Sequence, residues 1–224
     1  MALAALPRRD ASAREHLDNV GKHARPVVLA RERAVALPGS LTGLVPGGAL
    51  ARGSVLCVER AAGDGCGTGA TTVAFELAAA VTTVGEWAAA VDLDGTLGAL
   101  AARDAGVALD RFAVVRRVPP VRWATVVAAL LDGVSLVLAE VPRGIPAGVA
   151  RRLTARARER EAILVVCAPV GRWQAGAALT FSVESRSWSG LDDIGFLTGR
   201  TLQVRVEGHG AAARPRSGEL ARAV

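Results

Sequence analysis

The sequence has few of the residue types that support several common functions. Its 224 residues include one lysine, Lys22, and no tyrosine, and aromatic residues make up only 4%. Single-stranded nucleic acids stack on aromatic side chains, so this sequence has few residues that could form a base-stacking surface. His16, His23 and His209 show no ligand spacing, and we expect no metal site.

Cysteine is also scarce. Cys57, Cys66 and Cys167 form no CxxC pair, and an odd number at irregular spacing argues against a disulfide framework. Because Cys57 and Cys167 lie inside apolar runs, we expect them to be small core residues.

Long hydrophobic runs are missing. The longest apolar segment, 77–91, is interrupted by Gly85 and Glu86 and is therefore shorter than a membrane-spanning helix. The apolar region at the start of the chain is too short for a signal peptide. We expect a cytoplasmic protein without contact to a membrane.

Apolar residues and arginine are abundant. A hydrophobic content of 51% and a mean hydropathy of +0.32 predict a folded α/β domain. The net charge of +6 comes almost wholly from arginine and suits nucleic acid or an acidic protein partner. A GC-rich genome also produces such a composition, and both explanations stay open.

Segment 54–72 resembles a phosphate-binding loop, because an apolar strand runs through a glycine-rich turn into a helix. The lysine that should reach the phosphates is replaced by Ala70, and Asp64 stands where the motif has its first glycine. Either the turn still binds nucleotide or it is a relic that joins strand to helix. We favour the relic, because the cation that neutralises phosphate charge is missing. The residues concerned are Gly67, Gly69, Thr71 and Thr72.

Strands and helices alternate up to residue 168. Continuous apolar runs such as 87–93 and 134–141 are typical of parallel strands buried on both faces. The alternation predicts an α/β fold with a mainly parallel twisted sheet and helices on both faces. Alternating polarity in 179–185 and 202–206 predicts antiparallel strands at one edge.

Composition divides the chain into three parts. Residues 1–37 are polar and basic and are predicted to form an N-terminal arm, and residues 38–207 form the core domain. Residues 208–224 lack an apolar period, so we expect a flexible basic tail.

Charged residues recur at two kinds of position. Asp94 and Glu140 lie at the ends of apolar strands, the edge where open α/β sheets place ligands. Arg152, Arg156 and Arg160 recur every fourth residue of a predicted helix over 147–161. Like charges at that spacing repel unless solvent or an acidic partner separates them, which predicts an exposed basic stripe.

The ordered set of segments resembles the RecA recombinase core. Residues 39–53 look like the segment that introduces the first core strand of that family, and 91–107 look like its second strand and following helix. Residues 179–206 are similar to its closing antiparallel strands. The resemblance covers residues 38–207 and implies a RecA-like P-loop core.

The resemblance also implies that this sequence carries different residues at the positions of the family's catalytic residues. Asp94 falls where the family has its water-activating glutamate, and Glu140 where its magnesium-associated aspartate lies. Ala70 replaces the phosphate lysine, and 168–169 replace the residue that senses the γ-phosphate. Phosphoryl transfer depends on positioning and charge neutralisation. We therefore expect no ATPase, no catalytic residue and no cofactor, with only vestigial nucleotide positions.

The segments that correspond to the DNA-binding loops of recombinases, 142–148 and 170–177, are short. Candidate contacts with DNA or a partner are Arg143, Arg152, Arg156, Arg160, Arg172 and Trp173. Exposed tryptophan is common in interface hot spots, so Trp173 is a candidate partner anchor.

Within RecA relatives the sequence most resembles the ImuA group, including its ImuA-prime branch. This implies an accessory subunit of a DNA-damage-induced mutagenesis complex in translesion synthesis. Its partners would be ImuB, a Y-family polymerase relative, an error-prone C-family polymerase and possibly DNA. The alternatives are a residual DNA-dependent ATPase, a SulA-like cell-division inhibitor, and non-specific DNA binding through arginines that include Arg205, Arg214, Arg216 and Arg222.

Overall fold

A computed structural model describes residues 33–60, 69–173, 175–191, 194–195 and 197–223. Contacts within the chain place the residues from Arg33 onward in one compact unit. Gly67 and most of the predicted N-terminal arm lie outside the described residues.

The described residues form ten strands and four helices. The strands are β1 Ala34–Ala36, β2 Ala49–Ala51, β3 Val55–Arg60, β4 Ala88–Asp92, β5 Phe112–Arg116, β6 Leu136–Glu140, β7 Ile163–Pro169, β8 Leu179–Leu191, β9 Leu197–Gly208 and β10 Arg216–Ala223. The helices are α1 Ala70–Thr82, α2 Ala99–Asp104, α3 Pro120–Leu131 and α4 Ala147–Glu159. Short 3₁₀ turns lie at Gly39–Gly43, Pro46–Gly48, Leu109–Arg111 and Gly210–Ala212.

Eight strands form one sheet in the order β10-β9-β8-β3-β7-β6-β4-β5. Neighbours from β8 to β5 pair in parallel, whereas β9 pairs antiparallel with both β8 and β10. Strands β1 and β2 form a separate antiparallel pair. The predicted mainly parallel α/β sheet is confirmed.

The sheet is covered on both faces, as predicted. Successive residues of β6 point to opposite sides, so Leu138 joins one buried cluster and Val137 the other. The first cluster includes Phe75 of α1, and the second includes Trp123 of α3 and Leu153 of α4. Continuous apolar runs in the central strands reflect this burial on both faces.

Helix α1 is buried almost all round, with eleven of its thirteen residues inaccessible to solvent. Its alanine-rich sequence lets the surrounding strands approach closely. Glu76 is buried within the helix, and its carboxylate accepts a hydrogen bond of 2.7 Å from Nε of Arg222. A charge inside this apolar layer is tolerated because it is paired.

The predicted flexible tail is wrong for residues 216–223. They form β10, which pairs with β9 from Arg216 opposite Val206 to Ala223 opposite Gly199. Leu220 is buried in the core, and Arg222 pairs with Glu76. An edge strand needs few buried side chains, so this segment shows no clear apolar period in the sequence.

Two further predictions are corrected. Residues 34–37 of the expected arm belong to the folded unit, because Val35 and Leu37 are buried and β1 pairs with β2. Strand β8 was expected to be an antiparallel addition, but it pairs in parallel with β3 from Leu56 opposite Leu179. Among the described strands of the large sheet, only β9 runs against the others.

Cys57 and Cys167 lie on neighbouring strands of the core. Burial raises the pKa of each thiol to about 12, so both are protonated and unreactive near neutral pH. None of the described helices combines the length and the apolar character needed to cross a membrane.

Candidate functional site

The candidate site lies at the carboxyl ends of the parallel strands. Arg60 ends β3, Asp92 ends β4 and Glu140 ends β6. Because these strands run in the same direction, their ends and the loops that follow them meet at one edge of the sheet. Helix α1 begins at the same edge.

Gly69 is held by packing at the start of α1. Its φ of +85° lies in the left-handed region that favours glycine. A Cβ atom at this position would lie 2.8 Å from both terminal methyl groups of Leu202 on β9. Both the backbone conformation and the contact with β9 therefore require glycine here, whether or not an anion binds.

The first turn of α1 carries the other two described residues of the loop motif. The hydroxyl oxygen of Thr72 accepts a hydrogen bond from the guanidinium of Arg200 on β9. That guanidinium lies 5.4 Å from the ring centroid of Trp188, and burial lowers the pKa of Arg200. Thr71 lines a small cavity of about 40 Å³. Pockets for drug-sized ligands and cofactors usually have about 300–1,000 Å³.

Glu140 is paired with a cation. Its Oε1 lies 2.5 Å from an Nη of Arg60, and its side chain is 15% exposed. Sequence reasoning missed Arg60, because the two residues lie on strands that are separated by β7 in the sheet. Only the strand order brings them together, and no local motif indicates the pair.

Asp92 and Asp94 have different roles despite their proximity in the chain. Asp92 is buried, and its carboxylate accepts backbone hydrogen bonds from Thr96 and Leu97 at 3.1 and 3.2 Å. It also lies 3.4 Å from Nε of Arg116. Asp92 therefore holds the turn after β4, whereas Asp94 is exposed to solvent.

A cleft of about 550 Å³ opens beside these strand ends. Its charged lining residues are Arg60, Asp94, Glu140, Arg143 and Arg172. The cleft thus brings together four residues that the sequence analysis identified separately, namely Asp94, Glu140, Arg143 and Arg172. Since Arg60 neutralises Glu140, the exposed arginines outnumber the one remaining carboxylate, and the cleft can accept an anionic group.

The loop after β7 is held by a residue that sequence reasoning did not identify. The carboxylate of Glu59 accepts hydrogen bonds from the backbone N–H of Gly171 at 3.2 Å and from the hydroxyl of Ser182 at 3.0 Å. These contacts fix the position from which Arg172 reaches the cleft. Glu59 immediately precedes Arg60 at the end of β3.

Trp173 was expected to be an exposed partner anchor, and this is wrong. It is half-buried and packs against the cluster beneath α3 and α4. Its Nε1 is buried and finds no hydrogen-bond partner among the described residues. Trp173 contributes to the core behind the cleft.

The predicted arginine stripe lies on α4 and its end, apart from the cleft. Arg156 and Arg160 both pair with Asp132 at the end of α3, at 2.5 and 3.0 Å. The acidic neighbour lowers the repulsion between them, and the hydrogen bond from Arg156 lowers the pKa of Asp132. All three arginines keep solvent-exposed surface, and of the three only Arg152 lacks an ion pair with a described residue.

Within the described ranges, no group of three or more histidine, cysteine, aspartate or glutamate side chains is arranged to hold a metal ion.

Comparison with known protein families identifies a match over the first part of the fold. Residues 43–175 match a family whose description is the MT3502 N-terminal domain. No curated protein matches the chain. The matched range includes every residue that lines the cleft, whereas β8, β9 and β10 follow it.

Proposed function

We propose that this chain, which belongs to the MT3502 N-terminal domain family, is a non-catalytic, RecA-like accessory subunit of a DNA-damage-induced mutagenesis complex, because its sequence resembles the RecA core and the ImuA group. It acts as an adaptor between a Y-family polymerase relative of the ImuB type and an error-prone C-family polymerase in translesion synthesis. Its function is to bind partners, not to hydrolyse a nucleotide.

The ion pair between Arg60 and Glu140 is the observation that carries the non-catalytic part of this proposal. In a RecA-like enzyme, a carboxylate at the end of this strand would be associated with magnesium. Here the negative charge faces a guanidinium at 2.5 Å, so a cation would have to displace Arg60 before it could bind. Phosphoryl transfer requires free carboxylates for its metal ion and a cation for the phosphates.

Two contacts from β9 support the same proposal. The hydroxyl of Thr72, which follows Thr71 at the motif's serine or threonine position, accepts a hydrogen bond from Arg200. Gly69 packs against Leu202, so contacts within the protein account for the glycine at this position. The mainly parallel sheet with helices on both faces is compatible with the RecA-like core.

Phosphate release from ATP, with and without single-stranded DNA, tests the absence of catalysis. We expect no turnover above the background of a heat-denatured sample. A rate that Asp94→Asn abolishes would overturn the proposal. Asp110→Asn is the matched control, because Asp110 is also exposed but does not line the cleft.

Co-purification with an ImuB-type protein tests the adaptor role. We expect a complex that forms without nucleotide and survives Ala70→Lys, because the contact does not depend on phosphate binding. The proposal fails if no complex forms, or if the complex requires ATP.

A further inference from the structure

A second concave surface lies on the outer side of helices α3 and α4. We call it the α3–α4 groove, and it has a volume of about 520 Å³. Its apolar lining consists of Ala124 and Ala128 from α3 and Val149, Leu153 and Ala155 from α4. It shares no lining residue with the cleft at the strand ends.

The rim of the groove carries charges of both signs. Arg152 and Arg156 line it, with Glu159 at the end of α4. Arg156 donates hydrogen bonds to Asp132 and to the carbonyl oxygen of Ala128, so its charge is used within the protein. Arg152 is exposed and has no ion pair with any described residue. One cation is therefore available beside an apolar floor.

We propose that the α3–α4 groove binds an amphipathic helix of a partner protein, with apolar side chains on the groove floor and a carboxylate against Arg152. Helices bind such grooves through apolar residues spaced at i, i+3 or i+4, and i+7. The alanine side chains on both walls let the backbone of an incoming helix approach closely. An acidic flank would complement the available guanidinium.

The same features argue against nucleic acid as the occupant. A phosphate backbone is bound through several cations, and each neutralised phosphate adds to the salt dependence of binding. Among the described residues that line the groove, Arg156 is already paired with Asp132, which leaves Arg152 as one cation for a phosphate backbone. The apolar floor gives a sugar-phosphate chain no hydrogen-bond partner.

This inference goes beyond the proposed function and does not rest on it. The groove and the cleft have separate linings, so a partner helix could bind in the groove even if the cleft were catalytic. Phosphate release tests the cleft, and peptide binding tests the groove. Failure of one leaves the other measurable.

Fluorescence anisotropy of the full chain with a labelled helical peptide tests the groove. The peptide carries leucines at i, i+3, i+4 and i+7 and glutamates on its flanks. We expect Arg152→Glu to weaken binding about five- to tenfold, because it replaces attraction by repulsion. Arg151→Glu is the matched control, since Arg151 is exposed on the same helix but does not line the groove; we expect less than about a twofold change.

Ala155→Trp tests the apolar floor without a change of charge. Ala155 is exposed, so the larger side chain fills the groove without disturbing the core. We expect binding of the acidic peptide to be lost, while the far-ultraviolet circular dichroism of the protein stays unchanged.

Several results would overturn the inference. The acidic peptide could fail to bind, or a peptide with lysine in place of each glutamate could bind equally well. Arg151→Glu and Arg152→Glu could weaken binding equally, which would indicate non-specific charge attraction. Binding of a single-stranded oligonucleotide that depends on Arg152 but not on Ala155 would assign the surface to nucleic acid.

Discussion

The two halves of the large sheet differ in what their side chains do. In the parallel half, strands β3, β4, β6 and β7 bury apolar residues on both faces, and β3, β4 and β6 end in charged residues. In the closing half, β9 and β10 direct polar and apolar side chains at helix α1. Arg200 reaches Thr72, Leu202 packs on Gly69, and Arg222 pairs with Glu76.

This difference teaches how a loop that resembles a phosphate site can persist without its lysine. The Thr72 hydroxyl and Gly69 at the start of α1 contact Arg200 and Leu202 of β9, a strand that follows the family-matched range. These contacts come from within the protein and do not involve an anion. The parallel half builds the cleft, and the closing half holds the helix beside it.

Removing the ion pair between β10 and helix α1 should have the largest effect. Arg222→Ala leaves the buried carboxylate of Glu76 without its cation, and we expect the free energy of unfolding to fall by about 2–3 kcal/mol. Chemical denaturation of the full chain measures this loss. Arg216→Ala removes an exposed arginine from the same strand and should change stability by less than about 0.5 kcal/mol. Equal losses in both variants would contradict the structural role of Arg222.

A smaller effect is expected where α1 meets β9. Gly69→Ala places a Cβ atom 2.8 Å from Leu202 at a φ of +85°, and we expect a loss of about 2 kcal/mol from strain and overpacking. Gly85→Ala is the matched control, because Gly85 has a φ of +86° but nothing within 4 Å of the added atom. It should cost about 1 kcal/mol. If the two substitutions cost the same, Leu202 does not restrict Gly69.

The smallest expected effect is a pH dependence that comes from Glu76. Burial raises the pKa of this carboxyl above its ordinary value of 4.5, although Arg222 opposes the shift. The folded protein therefore binds the proton more tightly than the unfolded chain. The resulting stabilisation is fully present below the unfolded pKa and is lost as the pH rises through the folded pKa.

Comparison with Glu76→Gln isolates this contribution. The free energy of unfolding of the natural protein, relative to that of the variant, should decrease as the pH rises from about 4 to about 7. Denaturation curves across this range measure the difference. A relative stability that increases with pH would mean that Arg222 dominates and lowers the pKa of Glu76.

Most of the parallel half could be predicted from the sequence. Continuous apolar runs such as those ending at Asp92 and Glu140 identified buried strands, because burial on both faces leaves no polar position until the strand ends. The carboxyl ends of such strands meet at one edge, so the sequence also predicted where Asp94 and Glu140 would lie. The cleft confirms that location.

The sequence did not predict strand β10 of the closing half or the contacts between residues that lie far apart in the chain. The sequence predicts a tail in place of β10 because residues 208–224 have no apolar period, whereas Leu220 is buried in the core. It predicts an exposed partner anchor at Trp173, yet this side chain is half-buried and packs on the core. Long-range contacts of this kind leave no local signal in the chain.

The sequence by itself determined the mainly parallel α/β fold and the edge at which charged residues gather, since both follow from the local order of apolar and polar residues. Only the tertiary structure decided which charged residues form ion pairs. Strand order placed Arg60 against Glu140 across β7 and brought Arg222 to Glu76 from 146 positions away in the chain. Electrostatic interactions depend on distance in space, which a linear pattern of residues does not specify.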